Sequence, residues 1–175
     1  MMKRIHIILL LFLLIIVSCK KSPIEGDIEE FTNSHIELML DSMMGADENT
    51  ILDMHKPYLY VSYIDSTSCT SCQLAHFSDW NVLEHSVDTS KLDHIFIVAP
   101  KRDERHRIIE KLTTDNIFKD KTYIDTSGVF ERNNKCLPNN KLLHTFLLDK
   151  EHNVILIGSP VNNKKVKELL SKILK

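Results

Sequence analysis

Glycine and proline are scarce in this sequence, and neither sign of charge dominates it. The 175 residues contain four glycines and five prolines, and no segment repeats at a fixed period, which excludes collagen-like chains, repeat arrays and long flexible linkers. The formal net charge of −2 offers no basic surface for nucleic acid. The sequence also lacks a glycine-rich phosphate loop, so we expect no organic cofactor. Its 43% of hydrophobic residues is enough for the core of one domain.

A long apolar run lies near the amino terminus, over residues 7–17. Lys3 and Arg4 precede the run and Ser18 follows it, which is the arrangement of a signal peptide. The run is shorter than the roughly 20 apolar residues that a membrane-spanning helix needs. The alternatives are a secreted chain with an ordinary cleavage site and a chain that keeps its amino terminus as a short anchor.

The residues that end this segment, Ile16-Val17-Ser18-Cys19, resemble the bacterial lipobox. The resemblance implies that Cys19 is acylated and anchors a lipoprotein to a membrane of the cell envelope, facing the periplasm. We therefore expect a lipoprotein signal peptide over residues 1–18 and a lipidated cysteine with a tether over residues 19–26. A single domain is then expected over residues 27–175.

The spacing of apolar residues predicts an alternation of strands and helices after residue 57. Residues 58–64 (YLYVSYI) and 94–99 (HIFIVA) are rich in β-branched and aromatic side chains and predict two buried strands. The segment after Pro100 has apolar residues at helical spacing. A helix is also predicted to begin at Thr70, because apolar residues recur there at every third position: Leu74, Phe77, Trp80 and Leu83.

The carboxyl-terminal part predicts a short strand, a hairpin and a closing helix. Residues 122–125 form the short strand, within a region (116–140) that we interpret as an insertion. Residues 142–148 and 154–157 are separated by a short polar link, which is typical of an antiparallel pair. The apolar stripe after residue 165 predicts an amphipathic helix. Residues 28–44 fit a strand and a helix equally well.

The order β-α-β-α-β-β-α, with Cys69-Thr70-Ser71-Cys72 at the start of the first of these helices, resembles the thioredoxin fold over residues 57–175. Residues 145–149 (TFLLD) resemble a strand of membrane-anchored thioredoxin-like lipoproteins, the TlpA/ResA-like thiol-disulfide oxidoreductases, and residues 123–128 (YIDTSG) resemble the segment before it. The resemblance implies an α/β, thioredoxin-like fold with a central mixed β-sheet flanked by helices.

The two cysteines at the predicted helix start carry the expected chemistry. Cys69 meets free backbone N–H groups, whose partial positive charge stabilises a thiolate, so Cys69 is the expected nucleophile. Cys72, one turn further on and less exposed, is the expected resolving thiol. A helix end contributes about 0.3–1 kcal/mol, which lowers a thiol pKa near 8.5 by less than about one unit. This modest activation favours a reducing or isomerising role.

Two positions depart from the family pattern. Ser68 stands where active relatives carry tryptophan, and Leu143 stands where they carry a cis-proline. The resemblance implies that this proline pairs with substrate backbone and keeps metals away from the thiols, so its loss weakens exchange or permits metal binding.

Two metal-binding alternatives follow from that departure. Cys69 and Cys72 with His144 would form a copper site like that of copper-delivery thioredoxin relatives, and the same pair with His76 and Cys136 has zinc-like spacing. The ordinary interpretation makes His76 a partly exposed helix residue and His144 a polar residue in a strand, and no metal site is expected. Cys136 is then a buried, unreactive thiol, a third redox residue that exchanges with Cys69, or a site for joining a partner.

The function predicted from these residues is thiol-disulfide exchange outside the cytoplasm. The expected partners are thiols or disulfides of exported proteins and an unidentified redox donor, with the membrane reached through Cys19. The main alternative is a non-catalytic binding module that has the same fold, in which Cys69 and Cys72 form a structural disulfide.

Overall fold

The computed structural model describes residues 22–50, 52, 55–114 and 118–175. The predicted signal peptide and Cys19 lie outside these residues. Among the described residues no helix has the length and apolar character needed to cross a membrane. The strands are β1 (Met44–Gly45), β2 (Tyr58–Ile64), β3 (Leu92–Val98), β4 (Thr122–Ile124), β5 (Thr145–Leu148) and β6 (Val154–Ile157). The helices are α1 (Pro23–Phe31), α2 (Thr70–Leu74), α3 (Asp79–Glu84), α4 (Arg105–Thr114), α5 (Val129–Asn133) and α6 (Lys164–Ile173).

The strands form one six-stranded mixed sheet in the order β1-β4-β3-β2-β5-β6. Strands β2, β3 and β4 are parallel, whereas β1, β5 and β6 run antiparallel to their neighbours. Val61 of β2 lies between Ile95 and Phe146 of the two flanking strands, so β2 is central, as its apolar sequence predicts. The predicted strands at 94–99 and 122–125 correspond to β3 and β4.

The two faces of the sheet have separate cores because side chains alternate along each strand. Tyr60 and Ile64 of β2 face a core that includes Trp80 and residues of α4 and α6. Val61 and Tyr63 face the other core, which α1 and α5 cover. Full burial of a large apolar side chain contributes about 1.5–3 kcal/mol, and a shift of β2 by one residue would place each set of side chains in the core that is packed for the other set.

The helix predicted to begin at Thr70 is divided in the structure into α2 and α3. Between them the chain makes tight turns in which N–H groups bond to carbonyls three residues back, as in Phe77 N to Leu74 O (3.2 Å) and Trp80 N to Phe77 O (3.1 Å). A repeat of three residues per turn matches the apolar spacing of three. The prediction of one continuous helix is therefore wrong, although Phe77 and Trp80 are buried on the same core.

Residues 28–44 form neither a single strand nor a single helix. Helix α1 begins after Ser22, whose hydroxyl accepts from Glu25 N while the Glu25 carboxylate accepts from Ser22 N, a capping box with proline in the first turn. Residues 23–26 of the predicted tether are thus helical. His35 then forms an isolated antiparallel bridge with Asn153, and a 3-10 helix covers Leu40–Ser42.

The predicted hairpin is confirmed, but its first strand is shorter than predicted. β5 begins at Thr145, and Lys141–Leu143 form a 3-10 helix, because the Asn140 side chain accepts from Leu142 N and closes a turn there. The prediction that His144 lies in a strand is therefore wrong. At the other end Asp149 accepts from Asn153 N and shapes the hairpin loop. The closing helix is α6, capped by Asn163.

This strand order defines the class of protein. A central parallel unit, an antiparallel hairpin beside β2, a closing helix and a cysteine pair directly after β2 together form a thioredoxin-like fold. The α/β class and the central mixed sheet flanked by helices are as predicted.

Candidate functional site

The cysteine pair lies at the carboxyl end of β2. Cys69 and Cys72 form a disulfide, with their Cα atoms 5.3 Å apart. Both residues are exposed. In this short helix Thr70 is the fully buried residue. Because successive helical residues turn by about 100°, burying Thr70 directs the residues on both sides of it towards solvent.

The loop before Cys69 is shaped by Asp65, the residue that follows β2. Oδ1 of Asp65 accepts three hydrogen bonds, from Thr67 N (2.7 Å), Thr67 Oγ1 (2.6 Å) and Ser68 N (3.0 Å). The residue is 1% exposed. An aspartate that binds backbone two and three residues ahead is a local turn device. The pattern Asp-Ser-Thr-Ser after a strand predicts such a turn, but the sequence analysis missed it.

A second loop, the one before β5, reaches the same carboxylate. Nζ of Lys141 lies 2.6 Å from Oδ2 of Asp65, and Nδ1 of His144 lies 3.6 Å from the same oxygen. Burial alone would raise the pKa of Asp65, but hydrogen bonds from Lys141 and Thr67 outweigh it and lower the pKa to about 2. Asp65 is therefore an ionised carboxylate at neutral pH.

His144 is a neutral, buried residue in this network. Its Nε2 lies 2.8 Å from the carbonyl of Pro138 and must donate to it, because a carbonyl only accepts. Nδ1 then carries the lone pair. Burial lowers the pKa of His144, and the nearby Lys141 lowers it further, against the opposite influence of the Pro138 carbonyl and of Asp65. The imidazole also stacks on Tyr63, with ring centroids 5.4 Å apart.

Leu143 occupies the position where the family pattern has its proline. It is buried, and no cis peptide bond occurs in the part of the chain that the structure describes. Tyr63 N donates to the carbonyl of His144 at 2.8 Å, which extends the pairing of β2 and β5 beyond their named ends. The loop is thus held by backbone pairing and by the Lys141 ammonium.

A groove lies between α2 and the loop before β5; neither cysteine lines it, although Gln73 directly follows Cys72. Its volume is about 280 Å³. Helix α2 contributes Gln73 to it, the loop before β5 contributes Lys141 and Leu142, and the segment after β6 contributes Val161 and Asn162. Leu142 is 77% exposed. An exposed apolar side chain next to a groove of mixed polar and apolar lining is typical of a binding surface.

The metal-binding alternatives are not assembled by the fold. No group of three or more His, Cys, Asp or Glu side chains is placed to hold a metal among the described residues. His76 is exposed and contacts Asp79 at 3.3 Å, and His144 uses its Nε2 on Pro138. Cys136 packs against the core on the opposite face of the sheet from the core that Leu74 of α2 contacts.

Cys136 is a free, half-buried thiol. Its Sγ lies 3.9 Å from the carbonyl of His35. Burial raises the pKa of the thiol, which lowers its thiolate fraction at neutral pH. These features are typical of the unreactive cysteine that the sequence allows.

No family model and no curated protein matches the chain, whereas several solved structures are similar to it. An exposed lipoprotein thioredoxin of Streptococcus pneumoniae is 16% identical with a TM-score of 0.49, over 75% of this chain and 97% of that one. A thioredoxin-like protein of Bacteroides caccae is 18% identical with a TM-score of 0.45, over 69% of this chain and 41% of that one. The reduced amino-terminal domain of PilB from Neisseria meningitidis is 13% identical with a TM-score of 0.46, over 78% and 94%. The fold assignment rests on the strand order and on the position of the cysteine pair.

Proposed function

We propose that this protein is a thiol-disulfide oxidoreductase in which Cys69 attacks and Cys72 resolves. The observation that carries the proposal is an exposed disulfide at the start of α2, a helix whose Gln73, directly after Cys72, lines a groove. A disulfide that only stabilised the fold would need neither exposure nor a groove. The binding module with a structural disulfide is the competing function.

The reaction exchanges two electrons with a client. In the reducing direction the Cys69 thiolate attacks a client disulfide, which forms a mixed disulfide and releases one client thiolate. The Cys72 thiolate then attacks Sγ of Cys69, releases the second client thiolate and closes the Cys69–Cys72 bond. An external dithiol donor returns the pair to its reduced form, and oxidation of a client runs through the same steps in reverse.

The assignment of roles follows from the position of each sulfur. Cys69 precedes α2 and is its amino-terminal cap residue, where the free N–H groups of the first turn stabilise a thiolate. Cys72 lies inside the helix, and its N–H already bonds to the carbonyl of Cys69 at 3.1 Å. Because both sulfurs are exposed, the difference in role rests on the helix end rather than on burial.

The clients that suit the groove are extended segments of exported proteins. Gln73, Lys141 and Asn162 supply hydrogen-bonding groups along the groove, and Leu142 supplies an apolar contact at its rim. The location outside the cytoplasm belongs to the same proposal. Its support is the signal-peptide pattern that ends in Cys19, and disulfide chemistry is favoured in oxidising compartments.

A redox titration tests the proposed function directly. The purified, metal-free protein in detergent is equilibrated in graded glutathione buffers, and its thiols are counted by alkylation and mass spectrometry. We expect a reversible two-electron couple between roughly −270 and −120 mV. A pair that resists reduction throughout this range would favour the binding module.

Single-cysteine variants assign the roles. Cys69→Ser is expected to abolish exchange, whereas Cys72→Ser is expected to trap mixed disulfides with clients, because no resolving thiol remains. Cys136→Ser is the matched control and should leave the rate unchanged. Exchange that survives Cys69→Ser would refute the mechanism.

The membrane anchor has its own test. Cys19→Ala removes the acylated residue and is expected to move the protein from the membrane fraction to the soluble fraction, measured by fractionation and immunoblot. Continued membrane attachment of this variant would contradict lipidation at Cys19.

A further inference from the structure

We infer that Asp65 and Lys141 are positioning residues for the exchange reaction: the ion pair of the buried Asp65 carboxylate with the Lys141 ammonium fastens the Cys69 loop to the loop before β5. This inference rests on the proposed function and adds two residues to it. Neither side chain needs to contact the client or the reacting sulfurs for this role.

Each oxygen of the Asp65 carboxylate serves a different loop. Oδ1 is occupied by Thr67 and Ser68, which directly precede Cys69. Oδ2 faces the ammonium of Lys141 at 2.6 Å. Because the carboxylate is rigid and buried, a movement of one loop relative to the other must break at least one of these contacts. The pair therefore fixes the position of the Cys69 loop relative to the loop before β5.

Lys141 is the charged partner of Oδ2. The other neighbour of this oxygen is Nδ1 of His144 at 3.6 Å, which carries a lone pair while Nε2 donates to Pro138. Two acceptors do not bond to each other. The low pKa of Asp65 agrees with an ionised carboxylate that Lys141 compensates. Loss of the Lys141 ammonium would leave the buried negative charge of Asp65 without its counterion at Oδ2. The loop before β5 would then lose its contact with Asp65.

The tie matters most when the cysteine pair is reduced. In the oxidised protein the Cys69–Cys72 bond itself limits where the loop can go. In the dithiol and the mixed disulfide that bond is absent, and the contacts of Asp65 hold the segment that precedes Cys69. Attack by Cys72 on Sγ of Cys69 is an intramolecular step, and its rate depends on how well the two sulfurs are held in line. The ion pair should therefore affect resolution more than the first attack.

The test separates these two steps with the chromogenic disulfide dithiobis-nitrobenzoate. Full-length reduced protein is mixed with the reagent in detergent, and nitrobenzoate thiolate is followed by stopped flow. Attack by Cys69 breaks the reagent disulfide, forms a mixed disulfide and releases one thiolate. Attack by Cys72 closes the protein disulfide, releases the second thiolate and gives its own thiol proton to solvent.

Lys141→Met keeps the length of the side chain and removes its charge. We expect it to slow the second release about tenfold and the first release less than about twofold, because only the second depends on intramolecular alignment. Lys141→Arg restores an Asp65 partner and is expected to recover most of the second rate. Asp65→Asn, which has nearly the same shape as Asp65, should slow the second release as Lys141→Met does.

Lys121→Met is the matched control. Lys121 also pairs with a buried carboxylate, with its Nζ 2.5 Å from Oδ1 of Asp93, but this pair lies at the other end of the sheet. Lys121→Met should leave both release rates within about twofold of those of the original protein, since the contacts of Asp93 with Lys56, Lys121 and His94 lie at the amino end of the strands.

The outcomes distinguish the inference from the proposed function. If the unaltered reduced protein releases no thiolate, the oxidoreductase proposal fails and the positioning role fails with it. If it reacts in two phases but Lys141→Met and Asp65→Asn match it, or slow both phases equally as a general loss of structure would, the positioning role alone is overturned. Near-ultraviolet circular dichroism on each variant shows whether its core is intact.

Discussion

The two ends of the central strands carry the same three kinds of residue, a buried aspartate, a lysine and a buried histidine, and use them differently. At the carboxyl end are Asp65, Lys141 and His144, and at the amino end are Asp93, Lys121 and His94. Both aspartates and both histidines are buried, and each aspartate is within 2.6 Å of a lysine Nζ. Composition alone therefore does not separate a candidate active site from a structural network.

The difference lies in the backbone that each carboxylate holds. Oδ1 of Asp65 holds the segment that leads to Cys69, whereas Oδ1 of Asp93 accepts from the N–H of the next residue in its own strand, His94, at 2.9 Å. The imidazole of His94 has a carboxylate partner, with its Nδ1 3.1 Å from Oε1 of Glu84. This interaction is the main reason why the pKa of Glu84 is lowered, against the effect of burial.

The surroundings of the two histidines differ as well. His94 stacks on Trp80, with centroids 5.2 Å apart, and meets Phe96 and Phe118 edge-on. His94 therefore belongs to an aromatic core. His144 stacks on Tyr63 alone among the described aromatic pairs and lies where two loops meet. A buried polar network takes part in function when it is fastened to a segment that must move or be held during the reaction.

The largest effect is predicted at the amino end. Asp93→Ala removes the carboxylate that Lys121 and Lys56 share, and loss of one partner of a buried pair costs about 3 kcal/mol in the free energy of unfolding. Urea denaturation followed by circular dichroism measures it. The exchange rate per folded molecule should stay unchanged. Glu168→Ala, in an exposed pair with Lys164, is the control and should change stability by less than about 0.5 kcal/mol.

Acid should weaken the carboxyl end through Asp65. Its pKa is about 2 in the folded protein, against 3.8 for a free aspartate, so the folded protein gains stability above pH 4 and loses it as pH falls through 2. The shift corresponds to about 2 kcal/mol. Asp65→Asn should lack this loss, measured by urea denaturation at pH 2 to 5. An unchanged acid slope in the variant would contradict the assignment. Glu84→Gln serves as the amino-end control.

The fold could be predicted where local periodicity decides structure. The side chains of residues 58–64 alternate between the two cores, and the sequence of this segment predicts the central strand. The prediction failed where a few local hydrogen bonds override apolar content, as at Leu142 and Leu143, which the Asn140 side chain places in a 3-10 turn instead of a strand. It also failed after Thr70, where a spacing of three indicates tight turns rather than one regular helix.

The candidate site could be predicted only in part. The spacing of Cys69 and Cys72 is enough to predict the proposed redox pair without any structure. Asp65 has a local signal, because it precedes a Thr-Ser turn, but Lys141 has none. Lys141 comes next to Asp65 only because β5 pairs with β2 and places the loop before β5 beside the Cys69 loop. A contact between residues far apart in the chain depends on topology, which single-residue patterns do not contain.

The next smaller effect is expected at His144. The unfolded chain takes up a proton near pH 6.5, whereas burial lowers the pKa of His144 in the folded protein. Stability should therefore fall as pH drops below about 6.5, by at most about 1.4 kcal/mol per pH unit. His144→Phe keeps a ring on Tyr63 and should remove this part of the slope between pH 5 and 6.5. Denaturation at pH 8, where the histidine is neutral in both states, is the reference; an identical slope in both proteins would contradict the buried neutral state.

The smallest effect on stability, and the sharpest on clients, is expected at Leu142. Leu142→Ser removes an apolar side chain that is 77% exposed, so the free energy of unfolding should change by less than about 0.5 kcal/mol. If clients pack on this side chain, the variant should raise the KM for a disulfide-bonded peptide about fivefold, as loss of about 1 kcal/mol of apolar contact implies. Val82→Ser is the control, because Val82 is 68% exposed on α3 and is not among the residues of the groove. Equal KM values for the two variants would show that clients do not pack on Leu142.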